Sequence, residues 1–241
     1  NAEQISARQE AVKELSKKMK WGQEIQALGK ENPIRNSSME RLQFWLYEDS
    51  KFSSFKSWKW MLIVLPIISV SITVATIFGL VPLSVFYSTM LLMAIVALPQ
   101  KKKIGELHNR LSKMLGELKT LSRTIEVIER ENFISPLLIQ LQQQYKQDGT
   151  TASQNIKQLE KILDRLDIRF NILLVFPLNL LLLWNLQQIL QLEKWKKQNN
   201  AEVGNWFDTL GMYEALLSMA VIHFNNPSWA FTVLIAYHFF L

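Results

Sequence analysis

The 241-residue chain contains no cysteine, which excludes disulfides and thiolate metal sites and is compatible with a reducing compartment. Histidine is scarce. His108, His223 and His238 stand singly rather than at ligand spacing, and a zinc site needs three or four convergent ligands, so no metal centre is expected. There is no Gly-x-x-x-x-Gly-Lys-Ser/Thr loop and no Gly-x-Gly-x-x-Gly turn after a strand, so this chain is not expected to bind ATP. Ser218 has no histidine nearby in sequence, and Glu117, Glu126, Glu129 and Glu131 read as solvated charges on an exposed helix; no catalytic or cofactor-binding residue is expected. The opening Asn1-Ala2-Glu3-Gln4 has no apolar leader, so no signal peptide is expected, and the chain is expected to begin inside a longer parent.

Charge is missing altogether between Trp60 and Gln100, while both flanks are dense in Lys, Arg, Glu and Gln. A membrane-spanning helix needs about 20 mostly apolar residues, because the hydrocarbon layer is about 30 Å thick and an α-helix rises about 1.5 Å per residue. The segment supplies two passes: Trp60 to Phe78, a turn at Gly79-Leu80-Val81-Pro82, then Leu83 to Leu98. Lys51, Lys56 and Lys59 precede the first pass and Lys101, Lys102 and Lys103 follow the second. The positive-inside bias therefore places both ends in the cytoplasm. Trp58 and Trp60 fall where aromatic rings settle at a lipid interface, and Pro99 lets the chain turn on leaving it. The net charge of +6 sits largely in these flanking runs, which favours anionic lipid as a partner before nucleic acid. A second apolar run, Ile172 to Trp184, is shorter and interrupted by Pro177 and Asn179; it reads as a core helix rather than a third pass.

The remaining sequence reads as amphipathic helices, with no alternating strand pattern. Ile104, Leu107, Leu111, Met114, Leu118, Leu121, Ile125 and Ile128 recur in steps of three and four, a seam that needs a partner helix. Ile156, Leu159, Leu163 and Leu166 repeat the spacing, which predicts an antiparallel pair of long helices. Between them, Ser135-Pro136 marks a helix start, Gln147-Asp148-Gly149 closes the linking helix, and Thr151 to Gln154 has the capping-box pattern. Upstream, Ile5, Val12, Leu15 and Met19 mark one helix and Ser38 caps another carrying Leu42, Trp45 and Leu46. Downstream, Trp206, Phe207, Leu210, Ala215, Leu216 and Ala220 form a helix ended by Asn225-Asn226-Pro227. Trp195, Trp206 and Trp229 are expected to pack rather than stack on bases.

The organisation expected is all-α: a helical core segment over 1–57, a transmembrane helical hairpin over 58–100, long lever-like helices over 101–170, and a second core segment over 171–241. Two stretches carry a resemblance, Ile5-Ser6-Ala7-Arg8-Gln9-Glu10-Ala11-Val12-Lys13-Glu14-Leu15 and Tyr213-Glu214-Ala215-Leu216-Leu217-Ser218-Met219-Ala220. Both are similar to the core and lever region of MutS-type DNA mismatch-repair ATPases: the first to an Arg-Gln-x-Ala-Val-x-Glu-Leu helix, the second to the helix that returns from the lever. Ala152 to Asp167 resembles part of that returning lever. With its apolar hairpin the chain resembles the membrane-inserted MutS-like proteins of bacteria.

The resemblance implies a non-catalytic mechanical module at the inner, cytoplasmic membrane, with double-stranded DNA as a partner and a homodimer formed through the family's ATPase domain. That domain, with its ATP and Mg, and the mismatch-reading domain are not in this chain, so no mismatch-reading residue can be assigned. The alternative is a membrane-anchored coiled-coil scaffold that binds proteins through the Ile104 to Ile128 seam and has no nucleic-acid role. A pore is disfavoured because no residue between Trp60 and Leu98 is charged at neutral pH.

Overall fold

The computed structural model describes residues 2–48, 56–98, 101–147, 149–167, 172–229 and 231. Among them the chain is all-helical apart from one short ladder. The first helices are α1 (Ala2–Lys17), α2 (Met19–Glu31), α3 (Asn36–Tyr47), α4 (Lys56–Ile77), α5 (Leu83–Ala97), α6 (Lys101–Ser112), α7 (Leu115–Arg130) and α8 (Pro136–Gln143). There follow β1 (Lys146–Gln147), β2 (Thr150–Thr151), α9 (Ala152–Asp167), α10 (Ile172–Leu182), α11 (Trp184–Asn199) and α12 (Val203–Asn225). By internal packing the chain forms two units, each assembled from separated stretches of sequence.

The first unit comprises Asn1–Met39, Glu117–Ile156 and Ala201–Leu241. Its framework is α1 laid against α12, with α8 also on α1. Ala11, Val12 and Leu15 on α1 and Trp206, Leu210, Tyr213 and Leu217 on α12 are buried, at the three- and four-residue steps that keep one helix face inward. Trp21 packs edge-on against Phe133 at 5.5 Å and against Tyr213 at 6.3 Å between ring centroids, a favoured aromatic arrangement. Tyr213 donates to the Leu138 carbonyl at 2.8 Å, which ties α12 to α8. Gly22 on α2 is a close-approach position, because a Cβ there would stand 2.6 Å from Leu217 Cδ1. Gly22→Val is therefore expected to destabilise by about 1–3 kcal/mol through overpacking. Gly22→Ala, which asks only one leucine methyl to move, should fall well below it in urea-midpoint shift.

Carboxylates that read as solvated charges are structural acceptors in this unit. Glu117 accepts from the Ser38 hydroxyl at 2.8 Å and from the Arg35 N–H at 3.0 Å. Glu129 accepts from Ser153 Oγ at 2.5 Å and Ser153 N at 3.1 Å, while Glu131 pairs with Lys18 at 2.6 Å. Glu14 accepts from the backbone N–H groups of Ile134 and Ser135 at 2.9 and 2.6 Å. Several of these bonds satisfy donors that helix starts leave free. One expectation is displaced: Ser38 does not cap α3, because the helix begins two residues earlier and Ser38 lies inside its first turn, where its hydroxyl donates to Glu117.

The second unit comprises Glu40–Gly116 and Lys157–Asn200. Here α10 packs on both α4 and α5, and α11 touches α4 and α10. Trp45 of α3 stacks on Trp195 of α11 at 6.2 Å, and Lys196 lies over the Trp45 ring at 5.5 Å while donating to the Glu48 carbonyl. Buried His108 on α6 places Nε2 2.7 Å from Asp167 Oδ1 at the end of α9.

The seam from Ile104 to Ile128 is not one helix. It breaks at Lys113-Met114, where Met114 N bonds the Leu111 carbonyl at 3.0 Å in a tightened turn just before Gly116, a poor helix former. Ile104, Leu111 and Met114 are buried in the second unit and Leu118, Leu121, Ile125 and Ile128 in the first, with Leu107 half-buried. The apolar rhythm runs on through the break because the same leucine and isoleucine spacing serves two separate cores.

A strand ladder occurs where none was expected: Lys146 pairs with Thr151 and Gln147 with Thr150, antiparallel. Gly149 at φ +78° supplies the left-handed residue that such a tight reversal requires, and β1 and β2 pair as a ladder in place of the expected plain helix end. The Thr151 box is present, with reciprocal Thr151–Gln154 bonds of 3.4 and 3.5 Å opening α9.

Candidate functional site: an apolar helix cluster and a cationic groove

Both surfaces with a functional character lie in the second unit. The first is built by α4 and α5, joined through Phe78 to Pro82 with Gly79 at φ +70°. By length and composition Trp60–Ile77 is long and apolar enough to cross a membrane, and few of its residues are buried; Leu83–Ala97 is apolar but shorter. The hydroxyls of Thr73 and Thr76 are occupied locally, donating to the carbonyls of Ser69 and Ile72 at 2.8 Å.

Burial in this pair is concentrated at one end. Leu62, Pro66 and Ser69 on α4 and Met90 and Met93 on α5 are covered, whereas Ile77, Phe78, Leu80 and Leu83 around the turn are exposed. Of the expected interface residues, Trp60 is exposed. Trp58 and Lys59 lie on α4 and Lys101, Lys102 and Lys103 on α6, but their side chains, like Lys51 and Pro99 as a whole, are outside the described residues.

The second surface is a groove of about 430 Å³ between α9 and α11, lined by Lys161, Arg165 and Lys194 with three glutamines. Ile162 and Trp195 form its buried floor, and no carboxylate among the described residues lines it. Arg165 Nη1 donates to Gln191 Oε1 at 3.4 Å across the groove, and the Trp184 indole donates to the Arg165 carbonyl at 3.2 Å. Three cations and several amide donors on a concave wall suit a polyanion, because phosphate oxygens accept from both kinds of group.

The amphipathic spacing in α9 put the charges on the outer face, but nothing local in the sequence pairs Arg165 with Lys194. Only the packing of α11 on α9 closes that groove. Trp195 and Trp206 pack in cores, as their spacing predicts, and Trp229 is exposed. Among the described residues no group of histidines and carboxylates is arranged to hold a metal ion. Comparison with protein-family models, with curated proteins and with solved structures finds no match to this chain.

Proposed function

We propose that this chain is the non-catalytic core and lever region of a membrane-anchored MutS-like DNA-binding ATPase, seated at the bacterial cytoplasmic membrane with both termini inside. The observation that carries the reading is the placement of its two family-like stretches. Ile5–Leu15 and Tyr213–Ala220 lie near opposite ends of the sequence, yet α1 and α12 pack against one another as the framework of one core. In this reading α4 and α5 are the lipid anchor as a two-helix hairpin, and the groove of Lys161, Arg165 and Lys194 holds a phosphate backbone. The scaffold alternative needs an open seam, and its residues are spent inside the chain, with only Leu107 half-exposed.

The test is duplex DNA retention by the full chain in detergent micelles, titrated with salt. The triple variant Lys161→Glu, Arg165→Glu, Lys194→Glu should bind less and lower the logarithmic salt slope by roughly 2–3, near 0.9 for each phosphate that is no longer neutralised. Equal slopes for variant and parent would remove the groove from the reading. Salt-insensitive retention, or none, would remove DNA.

A further inference from the structure

We propose that α10 is a third membrane element, a half-depth helix that lies in the cytoplasmic leaflet against α4 and α5 and offers Leu173 and Phe176 to lipid acyl chains. This rests on the reading of α4 and α5 as a membrane hairpin.

The sequence predicts a core helix for this run, because Pro177, Asn179, Asn185 and Gln187 are ill-suited to lipid. The structure alters that in two respects. First, α10 is not enclosed: Leu173 is 82 % exposed and Phe176 68 % exposed, continuous with the apolar α4 and α5 on which the helix packs. Second, the side chains of Asn179 and Gln187 are bonded at the break between α10 and α11, while Asn185 Oδ1 is buried without a hydrogen-bond partner among the described residues. Asn179 Oδ1 accepts from the Asn185 N–H at 2.9 Å, and Gln187 Nε2 donates to the Leu182 carbonyl at 2.8 Å. Between them Leu183, fully buried, adopts a left-handed conformation at φ 50° that ends α10 and starts α11. In hydrocarbon a broken helix is tolerated only where its freed backbone groups find partners, and these two side chains supply them.

Depth follows from length and from where the burial falls. Eleven residues make a helix of about 16 Å, half of the roughly 30 Å hydrocarbon layer, so α10 cannot cross it. The residues covered on α4 and α5 are those toward the start of α4 and the end of α5, the ends flanked by Lys56, Lys59 and Lys101 to Lys103. Lysines mark the cytoplasmic side, so the covering helix belongs to that leaflet. The start of α11 at Trp184, with its indole bonded to the Arg165 carbonyl, then falls at the level where tryptophan prefers to sit.

The absence of native cysteine makes the test direct. Leu173→Cys, Phe176→Cys, Ile77→Cys at the hairpin turn and Lys197→Cys on α11 are each labelled with an environment-sensitive fluorophore. The full chain is then reconstituted in vesicles of phosphatidylcholine and phosphatidylglycerol that carry nitroxides at a shallow or a deep acyl position. Labels at 173 and 176 should be blue-shifted and quenched most by the shallow nitroxide, and the label at 197 should report water. Water-like spectra at 173 and 176 beside a lipid-quenched label at 77 would overturn the half-depth helix and leave the hairpin intact. Deep quenching at 176, or labelling of 173 from the far side, would overturn it in favour of a third pass. A water-like label at 77 would overturn the hairpin itself and this inference with it.

Discussion

Replacing Leu15 with alanine is expected to cost the first unit about 3–5 kcal/mol, the upper part of the range for truncating a fully buried leucine. Leu15 is completely inaccessible in α1, which packs on α12 and α8, so the missing methyl groups leave a cavity lined by packed helices rather than a surface that can close. A domain is stable by only about 5–15 kcal/mol, and the substitution would consume a large part of that margin. Ile5→Ala on the same helix is the comparison, because Ile5 is 41 % exposed and should lose little more than about 0.5 kcal/mol. Urea unfolding of the full chain in detergent, followed through tryptophan emission, separates the two. Similar midpoints for both variants would mean that α1 is not held as described.

Alkaline pH is expected to unfold this unit steeply, and two tyrosines are the cause. Burial pushes the Tyr145 hydroxyl far above its ordinary range, with Tyr213 and the carboxylates of Glu129 and Glu214 adding to it. Burial and then Glu14 do the same to Tyr213. Both hydroxyls donate to backbone carbonyls, Tyr145 to Trp206 at 3.4 Å and Tyr213 to Leu138 at 2.8 Å, so the protonated form is the one the fold uses.

The direction is fixed by linkage. Above a pH of about 10 the unfolded tyrosines release protons while the folded ones keep theirs, so stability is fully present below that pH and falls as pH rises toward the folded values. With both groups contributing, the slope approaches about 2.7 kcal/mol per pH unit, roughly twice the ~1.36 kcal/mol of a single proton. The double variant Tyr145→Phe, Tyr213→Phe should start less stable at neutral pH and show a much flatter alkaline limb. Unchanged steepness in the variant would place the alkaline transition elsewhere.

Individual elements show how far sequence alone reaches. The α4 to α5 boundaries are legible to within a few residues because a long uncharged run, a glycine with φ +70° and a proline leave few alternatives. The end of α12 at Asn225 is equally local, set by Asn-Asn-Pro. The α6 to α7 break is not legible, because Leu111 and Met114 keep the apolar rhythm through a turn and buried side chains do not reveal which core they enter. Ser38 misleads as well: its type suits a cap, but α3 begins at Asn36, and the hydroxyl, inside the first turn, donates to a carboxylate 79 positions away. The groove is the extreme case, since Lys161 and Arg165 meet Lys194 only after α9 and α11 have packed.

What the sequence determined is the helical class, the uncharged pair α4 and α5 and a few helix ends such as the starts of α8 and α9 and the end of α12, because solvation preference and backbone capping act over a few neighbouring residues. Tertiary structure alone decided which helices share a core, which carboxylates become caps, that α10 lies open on α4 and α5, and that three cations face one groove. Those outcomes depend on which distant surfaces fit together, and the free energy of that fit is a property of pairs of elements that no single segment contains.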